Sequence, residues 1–218
     1  KQNYEEAIDA PSALHYSISN GSTEKRRSIP GIRSTTGPMA AADYTGDGKL
    51  DLFIGGRFIP VRYPSSPTSR LFKNSGGEMV LDRGNSGGLE DIGMVTGAVF
   101  TDYDQDGDQD LLLSRAWDSL VLYRNEDGDF KDVTSAVGLD KYKGWWSGVA
   151  SGAFNNDGRP DFVATNWGTN SPYQASFQHP LKMYYHDFKG DGIFEVVETY
   201  YDSTEGGYVP RKKLSAFK

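Results

Sequence analysis

Apolar positions along this chain recur in short alternating runs and are seldom spaced at helical intervals. In the first half, "MAAADY" leads into an acidic stretch and "LDLFIGG" leads out of it. "SRLFKN" and "EMVLDRG" follow, with a turn at Gly76-Gly77 between them. The same order returns as "GAVFTDY", "DLLLSRA", "LVLYRN" and "DFKDVT", the last two separated by Asp127-Gly128. Runs of this length, rich in branched and aromatic residues and punctuated by glycine dipeptides, predict short antiparallel strands. No stretch sustains apolar residues at a 3.6-residue period between caps. "EEAIDAPSALHYSI" near the start has room for one short helical turn before Pro11.

The runs belong to a repeat. "ADYTGDGKLDLFIGG" from Ala42, "TDYDQDGDQDLLLSR" from Thr101, "GAFNNDGRPDFVATN" from Gly152 and "HDFKGDGIFEVVETY" from His186 share one frame. Each has an aromatic residue, a polar stretch, Asp-Gly, two residues, an acid and an apolar strand. The closing acids are Asp51, Asp110, Asp161 and Glu195, spaced 59, 51 and 34 residues apart. The first two spacings suit four-stranded blades stacked radially, since each sheet needs a neighbour to cover its apolar faces. The third is too short for a full blade, which predicts a truncated or rearranged last unit. The fold class expected is all-β, a partial β-propeller of about three to four antiparallel four-stranded blades. Blades are expected over 35–202, with 1–34 irregular or part of a preceding blade and 203–218 leading into the rest of a longer chain. Two irregular insertions, 57–70 and 166–180, are expected to gather at one end of the blades.

The acidic stretches carry the chemistry. In the second loop aspartates stand at 102, 104, 106, 108 and 110. Two carboxylates about 5 Å apart repel by roughly 3 kcal/mol at an effective dielectric near 20. The nearest basic residue in sequence is Arg115, beyond three leucines. Such a loop either splays into water or holds a cation. Numbering from the first acid to the closing one, oxygens at places one, three, five and nine come from Asp102, Asp104, Asp106 and Asp110. Asp108 at place seven offers its carbonyl, and Gly107 at six permits a sharp turn. A flexible all-oxygen cage fits calcium better than magnesium. An EF-hand would need glutamate at place twelve, where this loop has Leu113.

The other loops offer poorer sets. The first has Asp43, Thr45, Asp47 and Asp51. The third has Ala153 at place one, leaving Asn155, Asp157 and Asp161, so weaker affinity is expected. The fourth has Asp187, Asp191 and Glu195, with Lys189 at place three, whose ammonium is positioned to replace an ion.

The motif D-x-D-x-D-G-x-x-D followed by an apolar strand resembles the FG-GAP/VCBS repeat of integrin alpha-subunit propellers and bacterial secreted proteins. "LYRNEDGDFKDVTSAVGL" (122–139) and "GWWSGVASGAFNNDGRPDFVATNWGTNSPYQAS" from Gly144 are similar to the bacterial type that carries an ASPIC/UnbV domain. The likeness covers about residues 35–202. It implies calcium held between the first two strands of a blade, an extracellular, cell-surface or periplasmic location, and seven blades in a complete ring. A chain with three to four units would then be part of a larger propeller or pair with a second copy.

Composition narrows the partners. A net charge of −7 on 218 residues argues against nucleic acid or anionic membrane. There is no cysteine, no apolar run long enough for a membrane span and no signal peptide, and the chain begins at a lysine. A glycosidase needs two carboxylates across a bond, but most paired acids here belong to the repeated loops. "GNSGG" at 84–88 shares glycines with the serine-protease stretch "GDSGG" but lacks its aspartate. His15, His179 and His186 stand apart, and Asn20-Gly21-Ser22 is formally a glycosylation sequon. Trp145 and Trp146 are expected as packing between blades, whereas Trp167 and Tyr173, in the long insertion, are candidates for ligand contact. The expected function is non-catalytic recognition or adhesion, with a protein or glycan as ligand. The alternative is the propeller of a polysaccharide-processing lyase or hydrolase.

Overall fold

The computed structural model describes residues 14–19, 24–29, 31, 34–168, 171, 173 and 175–212. Fifteen strands run in order: β1 (Leu14–Ser19), β2 (Glu24–Ile29), β3 (Thr35–Ala42), β4 (Asp51–Phe58), β5 (Arg70–Ser75) and β6 (Glu78–Leu81). They continue as β7 (Met94–Thr101), β8 (Asp110–Asp118), β9 (Val121–Glu126), β10 (Asp129–Asp132), β11 (Gly144–Gly152) and β12 (Asp161–Asn166). The last are β13 (Lys182–His186), β14 (Glu195–Asp202) and β15 (Gly207–Pro210). One short helix, α1 (Arg83–Ser86), lies between β6 and β7. The helical turn expected before Pro11 and the sequon at 20–22 fall outside the described residues.

The fold is all-β and antiparallel throughout. β3 to β6 form a four-stranded sheet in chain order, and β7 to β10 form the next in the same way. The expectation of four strands per unit therefore holds for the first two repeats. It fails for the third, where β11 and β12 are the only strands among the described residues, and for the fourth, where β13, β14 and β15 make a three-stranded sheet. Between Asn166 and Lys182 the sequence has no alternating apolar run from which further strands could be built. The boundary expected at 202 falls inside the β14–β15 hairpin, because Asp202 pairs with Gly207. The N-terminal segment contains the β1–β2 hairpin.

The core lies between the first two sheets. Phe53 and Leu71 from the first meet Val95, Leu111, Leu113, Val121 and Tyr123 from the second, with Leu89 and Ile92 of the connecting segment. The unbroken run Leu111–Leu113 is buried on both faces of its strand, as befits a central strand flanked by β7 and β9. Successive units approach backbone to backbone at their first strands. A Cβ on Gly97 of β7 would lie 2.8 Å from Val149 N and 2.9 Å from Gly148 Cα of β11, a space no side chain fits. β11 also starts by pairing Gly144 and Trp145 with the end of β8, which ties the third sheet to the second.

Tyr44 and Asp82 pin the first two units together. Tyr44 is 2 % exposed, stacks on Phe100 and meets Phe130 edge-on, both from the second unit. Its hydroxyl donates to Asp82 Oδ2 at 3.1 Å. Asp82 also caps α1 through Asn85 N, accepts from Asn85 Nδ2 at 2.7 Å and faces Lys73 Nζ at 3.2 Å. Burial pushes the Asp82 carboxyl up, but the bonds from Asn85 and Lys73 outweigh it and leave it below the ordinary value of 3.8. A carboxylate depressed by folding contributes stability at neutral pH that is lost as pH falls through its folded value. Asp82→Asn is expected to cost about 1–2 kcal/mol at pH 7 in denaturant unfolding. The deficit relative to the unaltered chain should shrink as the pH drops below 3.8.

Candidate metal centre

The acidic loops join the first two strands of each unit, and their backbone is wound the same way four times. Place four is left-handed in every loop, at Gly46, Gln105, Asn156 and Gly190, and so is the glycine at place six, with Gly107 at φ 102°. In the second loop Asp106 N and Gly107 N donate to Asp102 Oδ1 and Oδ2 at 3.0 and 3.1 Å. Asp108 N donates to Asp106 Oδ1 at 2.9 Å. These bonds fix the Asp102 and Asp106 carboxylates, and oxygens of Asp102, Asp104 and Asp106 lie within 4.8 Å of one another. The Asp104 side chain accepts no hydrogen bond among the described residues, so its oxygens are open. The carboxylate of Asp108 turns away to accept Asp127 N at 2.9 Å, in the β9–β10 turn.

The closing acid has a different task. Asp110 is fully buried, and its two oxygens accept Tyr103 N and Asn125 N, both at 2.8 Å. Burial pushes its carboxyl up to about 6, with Asp104 and Asp106 adding to the rise and the two N–H donors opposing it. It thus ties the loop to the third strand of its sheet. Asp51 repeats this in the first loop, accepting Thr45 N, Thr45 Oγ1 and Asn74 N.

The remaining loops vary in the cation already at hand. In the first, Asp43 accepts Asp47 N and Gly48 N, while Lys49 Nζ sits 2.8 Å from Asp47 Oδ2. That pair holds the Asp47 carboxyl below its ordinary range. In the third, Asn155 donates its amide to Asp157 Oδ2 at 3.0 Å, and Asp161 accepts Phe154 N and Asn155 N. In the fourth, Lys189 Nζ lies 2.8 Å from Glu195 Oε1. Asp187 gathers N–H donors from Gly190, Asp191 and Gly192, which lower its carboxyl, Gly192 most. Asp191 accepts Ile193 N.

The loops do not all share one end. Gln105 Nε2 donates to Gly158 O at 2.8 Å, so the second and third loops touch. The fourth lies against the insertion after β4: Phe194 N donates to Val61 O at 2.8 Å and Arg62 covers the Phe194 ring. That insertion belongs to the opposite end, where the tip of β8 places Trp117 Nε1 on the Tyr63 hydroxyl.

Trp167 and Tyr173, the candidate ligand contacts, are packed into an aromatic tier. Trp145 stacks on Trp167 with centroids 4.6 Å apart, and Trp167 stacks on Tyr173. Trp117 meets Trp145 and Tyr173 edge-on. Tyr173 donates to Glu198 and is covered by Arg211 at 4.2 Å. Trp167 remains 45 % exposed. The tier clamps the long insertion to β8, β11 and β14.

Asn74 and Asn125 were not singled out from sequence. Besides its main-chain bond to the closing acid, Asn125 is fully buried, donates Nδ2 to Tyr44 O and Gln109 O, and accepts Gly128 N. Asn74 likewise donates to Leu50 O and accepts Gly77 N. The signal was present as a basic residue followed by asparagine before each hairpin turn, Lys73-Asn74 and Arg124-Asn125. Asn125→Ala leaves buried carbonyls without donors and is expected to destabilise by about 2–3 kcal/mol, read as a lower urea midpoint at unchanged slope.

Comparison with known proteins agrees with this geometry. Residues 102–164 match the FG-GAP-like repeat family. Over 114 residues, 49 % of this chain, the sequence is 34 % identical to cartilage acidic protein 1 of Mus musculus. That match spans 17 % of the relative's length. The second acidic loop, the strand that leaves it and the loop that follows lie inside the matched span, so this part of the chain carries an FG-GAP-like repeat.

Proposed function

We propose that this chain is a non-catalytic, calcium-binding recognition module, built as part of a β-propeller and working outside the cell or on its surface. The convergence of Asp102, Asp104 and Asp106 oxygens within 4.8 Å of one another carries the calcium assignment. Those three groups would hold the ion, with the carbonyl of Asp108 alongside. Asp110 is committed to main-chain N–H groups and serves to hold the loop on its sheet. Bound calcium would neutralise the cluster and fix the hairpin. The chain's own contribution is the winding of the loop, which points the oxygens inward before any ion arrives.

The donor sets rank the loops. The second has open carboxylates and no lysine among them. In the first, Lys49 competes for Asp47. In the fourth, the Lys189 ammonium stands beside Glu195, so this loop is assigned no metal. The third lacks an acid at place one and has its amide turned on Asp157.

A recognition role is supported by the repeat family and by the commitment of the acids to loop structure. No helix among the described residues is long and apolar enough to cross a membrane. The relative is named as an acidic protein of cartilage, and a net charge of −7 gives this chain the same character. Its ligand is taken to be a protein or a glycan.

Calcium titration by calorimetry, with melting curves in calcium and in chelator, tests this assignment. An ion that binds only the folded state stabilises by about 2.7 kcal/mol at a hundredfold excess over its dissociation constant. The melting temperature is expected to climb with calcium, and Asp106→Ala should remove the tightest site. Lys49→Ala should strengthen the first loop. Saturation without a shift in melting, or turnover of a polysaccharide by the purified chain, would count against it.

A further inference from the structure

In the first two sheets the strand leaving the acidic loop is covered along its outer edge in one register. Leu52 faces Phe72 and Phe53 faces Leu71 in the first. Leu111 faces Tyr123 and Leu112 faces Leu122 in the second. The covering strand then delivers an asparagine main-chain N–H to the closing acid, Asn74 to Asp51 and Asn125 to Asp110, both at 2.8 Å. The residue before each asparagine is basic, Lys73 or Arg124, and stands opposite that acid.

β12 is the same strand in the third unit, with Phe162, Val163 and Ala164 following the acid Asp161. Among the described residues it pairs only with β11, and no described strand lies along its other edge. Phe162 is 39 % and Val163 50 % exposed, against 0 % for Phe53 and Leu111 and 1 % for Leu112. Asp161 Oδ2 takes its loop's N–H groups, but among the described residues Oδ1 receives only a 3.5 Å contact from Asn155 Nδ2, where Asp51 and Asp110 accept a strand N–H. Tyr103, the counterpart of the buried Tyr44, has no ring partner among the described residues. In the first pair of units that cover came from Phe130, on the fourth strand of the following sheet.

We propose that β12 is a docking edge that accepts an extended segment of a partner protein by antiparallel strand addition. The two covered sheets define what fits: an apolar residue opposite Val163, an aromatic opposite Phe162, a lysine or arginine opposite Asp161, then asparagine. Main-chain hydrogen bonds supply the adhesion, and side-chain positions supply the choice of partner. Within the chain, Met183-Tyr184-Tyr185-His186 of β13 keeps the aromatic spacing. It has neither the basic residue nor the asparagine, and it is already bonded to β14. The inference rests on the recognition role proposed above for its protein partner and needs no ion in any loop.

The peptide SLVLYRNEDGDFKD, residues 119–132 of this chain, is the probe, added to the full chain and followed by fluorescence anisotropy and amide hydrogen exchange. Saturable binding is expected, with exchange of β12 amides slowed at least about tenfold. Proline in place of the peptide's asparagine, or Phe162→Ser with Val163→Ser in the protein, should weaken binding about tenfold or more, since each removes a charge-assisted bond or the apolar contact. Both serines lie at exposed positions and leave the fold intact, which the melting curve checks. Binding that leaves β12 exchange unchanged overturns the proposal. So does slow β12 exchange without peptide: independent of concentration it assigns the edge to β13, and rising with concentration alongside sedimentation it assigns the edge to a second copy. Running both arms in calcium and in chelator separates the two readings. A melting curve indifferent to calcium with β12 still protected by peptide removes calcium alone, and absence of protection in both buffers removes the docking edge alone. Protection in both buffers with a melting temperature that climbs with calcium supports both, and protection in calcium only overturns the ion-independent docking edge stated here.

Discussion

A buried carboxylate that accepts main-chain N–H groups from two directions organises this fold. Asp51 and Asp110 each hold their own loop with one oxygen and the third strand of their sheet with the other. An ionised group out of water is costly unless its lone pairs are filled. Filling them here requires the loop and the distant strand to be in place together, which makes hairpin, register and loop conformation one cooperative object. The asparagine on the third strand extends the tie further. Through Asn125 Nδ2 and Tyr44 O it reaches the preceding unit, so a bond made for one sheet also sets the distance to the next.

Between units, contact is made by large rings on one side and by absent side chains on the other. Tyr44 is enclosed by Phe100 and Phe130, and Asp82 receives its hydroxyl. At the first strands the neighbours close to backbone distance, which only Gly97 and its counterpart Gly37 allow. The close approach needs only the first strand of the following sheet, whereas the ring cover needs its fourth. Where the following sheet lacks a fourth strand among the described residues, that cover is missing: Tyr103 has no ring partner among them, and Phe154 is 60 % exposed.

Much of this was legible in the sequence because the repeat frame and the strand alternation are local. The first two sheets, their turns and the inward alternation of Asp102, Asp104 and Asp106 follow from spacing alone. Lys189 was legible as a cation inside the fourth loop, but its pairing with Glu195 was not. What else escaped was non-local. Asn125 makes its bonds to residues 15 and 81 positions away, and no window along the chain shows that. Asp108 looked like a fifth member of the acid row, but a turn one hairpin further on claimed its carboxylate. Trp167 and Tyr173 read as exposed because insertions usually are. Trp167 does stay 45 % exposed, but the ring contacts that hold both residues come from Trp145 and Trp117, with Arg211 over Tyr173, in other segments.

The touching of the second and third loops, through Gln105 and Gly158, has a further consequence. A contact between two hairpin tips makes the stiffness of each a condition of the other. By linkage, whatever free energy one tip gains when its neighbour is ordered, the neighbour gains in return. A well-furnished tip thereby lends rigidity to a poorly furnished one, and the weaker of the pair is kept in shape by its company.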